Sequence, residues 1–156
     1  NAAQATVYGL QAGIEIRMSD EFWFMSQINY QVGEEELDDG TKSPSRHAPP
    51  IFGVTRLTYQ SNKLQYQFYA TYSGERLYED LPQEEQGKPE IYAIDKDGNP
   101  YSPSWYTLNF KAMYQIGSHF SVSAGVENLT DQRYRPYSSG IVAPGRNLVA
   151  SLTAKF

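Results

Sequence analysis

The sequence predicts an all-β fold, an antiparallel meander of seven long strands with one hydrocarbon face and one wet face. Three observations predict it. Seven stretches of 7 to 11 residues alternate apolar and polar side chains with a period of two. The links between them alternate short and long, and no run of about 18 apolar residues exists that could cross a membrane as a helix.

The strands are expected near residues 6–18, 22–32, 51–60, 64–73, 105–116, 119–127 and 147–156. The first two carry Tyr8, Leu10, Ala12, Ile14, Ile16 and Met18, then Phe22, Phe24, Ser26, Ile28, Tyr30 and Val32 on one parity. The next two carry Ile51, Gly53, Thr55, Leu57 and Tyr59, then Leu64, Tyr66, Phe68, Ala70 and Tyr72. The last three carry Tyr106, Leu108, Phe110, Ala112, Tyr114 and Ile116; Phe120, Val122, Ala124 and Val126; and Leu148, Ala150, Leu152, Ala154 and Phe156. Of these 37 positions only Ser26, Gly53 and Thr55 are not apolar, and none is charged. The opposite parity holds Glu15, Arg17, Arg56, Lys111, Glu127 and Lys155 among small polar residues, with Trp23, Phe52 and Met113 as exceptions. Side chains alternate across a strand, so this pattern predicts a transmembrane barrel wall with lipid on one side and a polar lumen on the other. Arginine at Leu108 or Ala150 should then be costly, and at Asn109 or Ser151 mild.

Short turns at Ser19-Asp20-Glu21, Ser61-Asn62-Lys63 and Gly117-Ser118 alternate with long links at 33–50, 74–104 and 128–145. Outer-membrane barrels have short periplasmic turns and longer extracellular loops, which orients the sheet and puts Phe156 on the periplasmic side. The long links hold five, eight and one of the 18 acidic residues, and each acidic cluster reads as solvated surface. Tyrosine and phenylalanine gather at strand ends with small residues between, as in interfacial girdles. Phe68 and Phe110 sit nearer mid-strand and reflect plain strand preference.

Composition permits this reading. A mean hydropathy of -0.59 is low because half of a barrel strand faces the lumen. The charge of -5 and scattered basic residues argue against nucleic acid as a partner. With no cysteine there is no disulfide framework or thiolate metal site. Asp95-Lys96-Asp97-Gly98-Asn99 has too few ligands for a calcium loop, position 106 being Tyr106, and reads as a turn. His47 and His119 fall at opposite ends of the wall, so no shared metal site is expected, nor any cofactor. Nucleophile, phosphate-loop and dinucleotide motifs are missing, and the chain reads as no enzyme, with no catalytic residue to name. Asn1 to Ser19 has no basic head or apolar core, so the true N-terminus is expected upstream.

The C-terminal third carries Val126-Glu127-Asn128-Leu129-Thr130-Asp131-Gln132-Arg133-Tyr134, then Gly140, Pro144-Gly145-Arg146 and a strand ending in Phe156. It resembles the C-terminal signature of TonB-dependent outer-membrane receptors, N-L-F-D-x-x-Y, a loop, P-G-R and a last strand closing on an aromatic residue. Thr130 stands where Phe is usual. Asn1, Ala5, Val7 and Gly9 resemble the family's N-x-x-x-A-x-(I/V)-x-G-x-E stretch, with Gln11 where Glu is common, and His47-Ala48-Pro49-Pro50 is a weaker likeness. The resemblance implies that residues 1–156 are the last seven strands of a 22-stranded barrel in a Gram-negative outer membrane, with the plug domain and TonB box lying elsewhere. It implies uptake of a scarce nutrient complex, foremost a ferric siderophore, otherwise haem, cobalamin or a glycan. Its implied partners are the TonB system, outer-membrane lipid and the barrel-assembly machinery, which would read Phe156.

Locally, Asn128 and Asp131 suit a turn as strand six leaves the membrane, and Gly140, Pro144 and Gly145 shape the return. Ligand contacts are expected from the long loops: Tyr78, Tyr92, Tyr101 and Trp105 for stacking, with Tyr134, Arg135 and Tyr137 at the mouth. The competing class is a soluble β-sandwich or lipocalin-like binding module, whose apolar face would pack a core. Strand length separates the two, because soluble strands cluster at about 5 to 6 residues. Seven strands leave two bare edges, so the isolated chain is expected to self-associate.

Overall fold

The structure, a computed structural model, describes residues 4–156, so Asn1 of the N-terminal motif lies outside the described residues. Seven long strands form the meander: β1 (Gln4–Arg17), β2 (Phe22–Glu36), β4 (Phe52–Gln60), β5 (Leu64–Ser73), β8 (Trp105–Ile116), β9 (Phe120–Glu127) and β10 (Asn147–Ala154). They lie side by side in chain order, every pair antiparallel. A short β3 (Lys42–Pro44) adds to the outer end of β2, and β6 (Ala93–Ile94) pairs with β7 (Pro100–Tyr101) in a small hairpin. These three short strands lie in the long loops, where no periodicity announces them. β10 ends at Ala154 rather than at residue 156, although the Lys155 N–H still donates to the His119 carbonyl at 2.8 Å.

Register keeps the two parities apart. Leu10 faces Tyr30, Phe24 faces Leu57, Leu57 faces Phe68, Phe68 faces Phe110, Tyr114 faces Val122 and Val122 faces Leu152. A slip of one residue at any pair would turn a whole strand over. Burial is inverted relative to a water-soluble domain: Leu10, Leu148 and Leu152 are 69%, 82% and 70% exposed. Thr107, Asn109 and Ser123 on the other parity are buried. Among the described residues the buried hydrophobic side chains are Ala48 and Leu81, both outside the long strands. Among the described residues no second layer covers the apolar face, which removes the sandwich and lipocalin alternative. The remaining solvent for such a face is lipid.

Aromatic packing marks the short-turn end. Phe22 meets Tyr59 at 4.9 Å between ring centroids, Tyr59 meets Tyr66 at 6.1 Å, and Tyr66 meets Phe110 at 5.8 Å. The run ends on Phe110, which lies mid-strand in β8 as expected. Gly53, a break in the apolar parity, lies under the Tyr72 ring, and a Cβ there would be 2.5 Å from the Tyr72 hydroxyl oxygen. The missing side chain is replaced by its neighbour's ring. On the polar parity, Arg17 lies 5.8 Å from the Trp23 ring and Arg56 lies 5.4 Å from the Tyr69 ring, so these two aromatics are matched to cations.

One expectation about that polar face fails. Asn109 is 4% exposed; its amide donates to the Tyr69 carbonyl at 3.2 Å and the Thr107 hydroxyl at 3.1 Å. Its Oδ1 accepts the Asn128 N–H at 2.9 Å. Arginine at Asn109 would disrupt this network, because the lumen side here is covered by a loop rather than by water. Ser151, exposed and sharing a 2.8 Å hydrogen bond with Ser123, keeps its tolerant status.

A loop-end cleft on the polar face

Two structured regions fix the long-loop end. The first is built by the motif residues. Asn128 and Asp131 adopt left-handed backbone at φ 51° and 54°, a conformation that suits Asn and Asp better than other side chains. Asn128 Oδ1 accepts the Gln132 N–H at 2.9 Å, while its amide donates to the carbonyls of Gln132 and Pro144 at 2.8 and 3.2 Å. Asp131 Oδ1 accepts the Arg146 N–H at 2.7 Å, and Arg146 Nε donates to the Leu129 carbonyl at 3.1 Å. Gly145 passes so close that a Cβ would lie 2.6 Å from that Asp131 oxygen. The motif is thus a clasp: it joins the exit of β9 to the start of β10 and folds residues 128–146 over the polar face.

Beneath that fold, Tyr69, Thr107, Asn109, Glu127 and Tyr134 border a cavity of ≈ 200 Å³. Above it opens a cleft of ≈ 450 Å³ walled by Tyr92, Trp105, Arg133, Tyr134 and Arg135 with Val142. Tyr134 borders both spaces, and its ring stacks on Trp105 at 4.2 Å. Trp105 has the polar parity of β8, so the cleft opens on the lumen side at the long-loop end. Arg135 Nη1 donates to the Glu90 carbonyl at 2.8 Å, tying the cleft's two sides together.

Of the residues expected at a ligand site, Tyr92, Trp105, Tyr134 and Arg135 come together here. Tyr78 and Tyr101 do not line the cleft: Tyr78 starts a 3-10 turn (Tyr78–Asp80), and Tyr101 pairs with Ala93 in the small hairpin. Tyr137 packs under Arg76 at 5.8 Å, its hydroxyl buried without a protein partner. Arg133 and Gln132 line the cleft and were missed, although both lie inside the motif. Asp95 behaves as a turn residue, its Oδ1 accepting the N–H groups of Asp97 and Asn99 at 2.8 and 2.9 Å.

The cleft's phenols are neutral. Burial raises the Tyr134 hydroxyl, and the Glu127 charge adds to it. Tyr92 is raised far more, by burial and then by its bond to Glu85. The walls therefore offer aromatic faces, the Tyr134 phenol and two guanidinium groups, a set suited to an aromatic, negatively charged guest.

Glu85 overturns one surface assignment. The Glu84-Glu85 pair reads as solvated, yet Glu85, in the short helix α1 (Gln83–Gln86), is 0% exposed. Arg46 Nε lies 2.8 Å and Lys88 Nζ 2.9 Å from Oε1, and the Tyr92 hydroxyl donates to Oε2 at 2.7 Å. Burial alone would raise this carboxyl; the three partners outweigh it and hold it below the usual range.

A family model described as TonB dependent receptor-like, beta-barrel, matches residues 1–129. No curated protein matches the chain. Among solved structures it resembles the copper transporter OprC at 15% identity and TM-score 0.73, over 97% of this chain and 24% of that one. The ferric enterobactin receptor PfeA of Pseudomonas aeruginosa follows at 20% identity and TM-score 0.71, over 97% and 23%. The siderophore receptor PirA of Acinetobacter baumannii gives 20% and 0.66, over 97% and 22%. These likenesses show the fold, and the chain spans about a quarter of the length of each. With an apolar outer face, a polar inner face and that family match, the chain belongs to the TonB-dependent receptor β-barrel family, receptors of the Gram-negative outer membrane and not enzymes.

Proposed function

We propose that this chain is part of the wall and mouth of a 22-stranded, plugged receptor that takes up a ferric siderophore. Haem, cobalamin and glycans are the other guests of the class. The cleft carries the reading: a Trp105–Tyr134 stack beside Arg133 and Arg135, open to the lumen side, fits an aromatic anionic chelate. PfeA has been solved in complex with enterobactin, and the ferripyoverdine receptor bound to ferripyoverdine, which supports the same guest class here. Tyr92, Trp105, Tyr134 and Arg135 are the proposed contacts; Tyr78, Tyr101 and Tyr137 support the loops around them. Energy would come from the TonB system through parts of the receptor outside this chain, and Phe156, fully exposed, would be read during barrel assembly. As an isolated chain, its apolar face would drive self-association, which light scattering in plain buffer would detect.

The test is binding to the full-length receptor, with ferric enterobactin, ferripyoverdine, haem and cobalamin as probes. One ferric chelate should bind, and Trp105→Ala or Arg135→Ala should weaken it about tenfold. Tight binding that neither change touches would remove the cleft from the uptake route.

A further inference from the structure

Two loops meet at one buried carboxylate, and a third reaches it through Arg46. Arg46 comes from residues 37–51, Glu85, Lys88 and Tyr92 from residues 74–104, and Ser138, whose hydroxyl accepts from Arg46 Nε at 3.3 Å, from residues 128–146. A second strap runs beside it, the Ser43 hydroxyl accepting the Gln83 N–H at 3.1 Å where α1 begins. Glu85 does not line the cleft, but Tyr92 does, and the Tyr92 hydroxyl is committed to Glu85. A helix of one turn has little stability of its own, so α1 persists through these contacts.

We propose that Glu85 is the positioning residue of the mouth: its carboxylate pins two long loops to each other directly and the third through Arg46 and Ser138, and, through Tyr92, sets one wall of the cleft. This rests on the cleft being the ligand site. Removing one partner of a buried, hydrogen-bonded charge leaves the others unmatched, and here the unmatched groups sit on two loops, one of them, Arg46, also holding Ser138 on the third. Loosening should therefore spread to segments far from residue 85 in sequence.

Hydrogen exchange on the full-length receptor in detergent tests it, with Glu85→Gln and Arg46→Met. Glu85→Gln should speed amide exchange about tenfold or more in both 37–50 and 133–143, with β8 still protected. Arg46→Met, which leaves Glu85 paired with Lys88 and Tyr92, should loosen 37–50 most. Acrylamide quenching of Trp105 should rise in Glu85→Gln. Unchanged protection in both variants, or loss confined to 83–90, would overturn the proposal. Should β8 also lose protection in Glu85→Gln, the Arg46→Met pattern decides. Trp105→Ala, scored by ferric enterobactin binding, judges the cleft assignment separately, so the two failures are distinguishable.

Discussion

Ser26 and Thr55, the two hydroxyl residues on the apolar face, stand opposite one another across β2 and β4 and share a hydrogen bond of 2.9 Å. Each satisfies the other where lipid could satisfy neither. With Gly53 lying under the Tyr72 ring, all three departures from the apolar parity are accounted for by a cross-strand neighbour.

That pairing makes a signed prediction. Ser26→Ala leaves the Thr55 hydroxyl alone in hydrocarbon and should cost about 1 kcal/mol, and so should Thr55→Val alone. Changing both should cost little or nothing. Folding of the full-length receptor into vesicles, run as a double-mutant cycle, would measure the coupling. Additive losses would mean that the two hydroxyls do not depend on each other.

The parity contrast should survive with the corrected control. Leu108→Arg should cost roughly 2 to 4 kcal/mol near the bilayer midplane. Ser151→Arg should cost under about 1 kcal/mol, since only the bond to Ser123 is lost. Equilibrium unfolding from vesicles checks the difference, and equal penalties would contradict a one-sided wall.

The motif clasp predicts a division of labour. Asn128→Ala removes bonds to Gln132 and Pro144 at a left-handed position and should destabilise by about 2 to 3 kcal/mol. Asn128→Gly relieves the backbone term and should recover part of that loss. Asp131→Ala should release residues 144–146 with a smaller cost, seen as faster exchange at the Arg146 amide. Equal stability for the Ala and Gly variants would remove the backbone contribution.

Acid should loosen the mouth. The Glu85 carboxyl is held below its ordinary 4.5 in the folded protein. A depressed carboxyl contributes stability that is complete above its unfolded value and lost as pH falls through the lower folded one. Tyr92, whose hydroxyl is raised by burial and by Glu85, keeps its proton throughout that window. Asp39 and Asp95 are also lowered, by hydrogen bonds from Thr41 and from the Asn99 backbone N–H, and act in the same direction on their own turns. Protection of the amides in 37–50 and 133–143, corrected for the slower intrinsic exchange in acid, should therefore fall as pH drops below 4.5, with a flatter profile in Glu85→Gln. Identical profiles in the two proteins would dissociate the acid response from Glu85.

Strand positions were legible in the sequence because each strand must put every second residue into hydrocarbon, and that leaves a periodic record from Tyr8 to Phe156. The clasp was legible too, since Asn128, Asp131 and Gly145 are chemically specialised for turns. Loop architecture was not. Glu85 sits among acidic neighbours, and its burial depends on Tyr92 and Lys88 folding back onto it and on Arg46 arriving from another loop. Asn109 likewise shares its parity with wet residues, and the loop covering it is placed by contacts many residues away. Long-range pairing of polar groups leaves no local period, which is why the cleft was assembled only in part from its aromatic residues.

The most direct measurement uses the absence of cysteine. Single cysteines at residues 106 through 112 of the full-length receptor, spin-labelled in vesicles, can be tested against oxygen, which concentrates in lipid, and a water-soluble nickel chelate. Collision with oxygen should peak at 106, 108, 110 and 112 and fall at 107, 109 and 111, a period of two in phase with the apolar parity. A flat profile, or peaks at the odd positions, would contradict the lipid-facing wall.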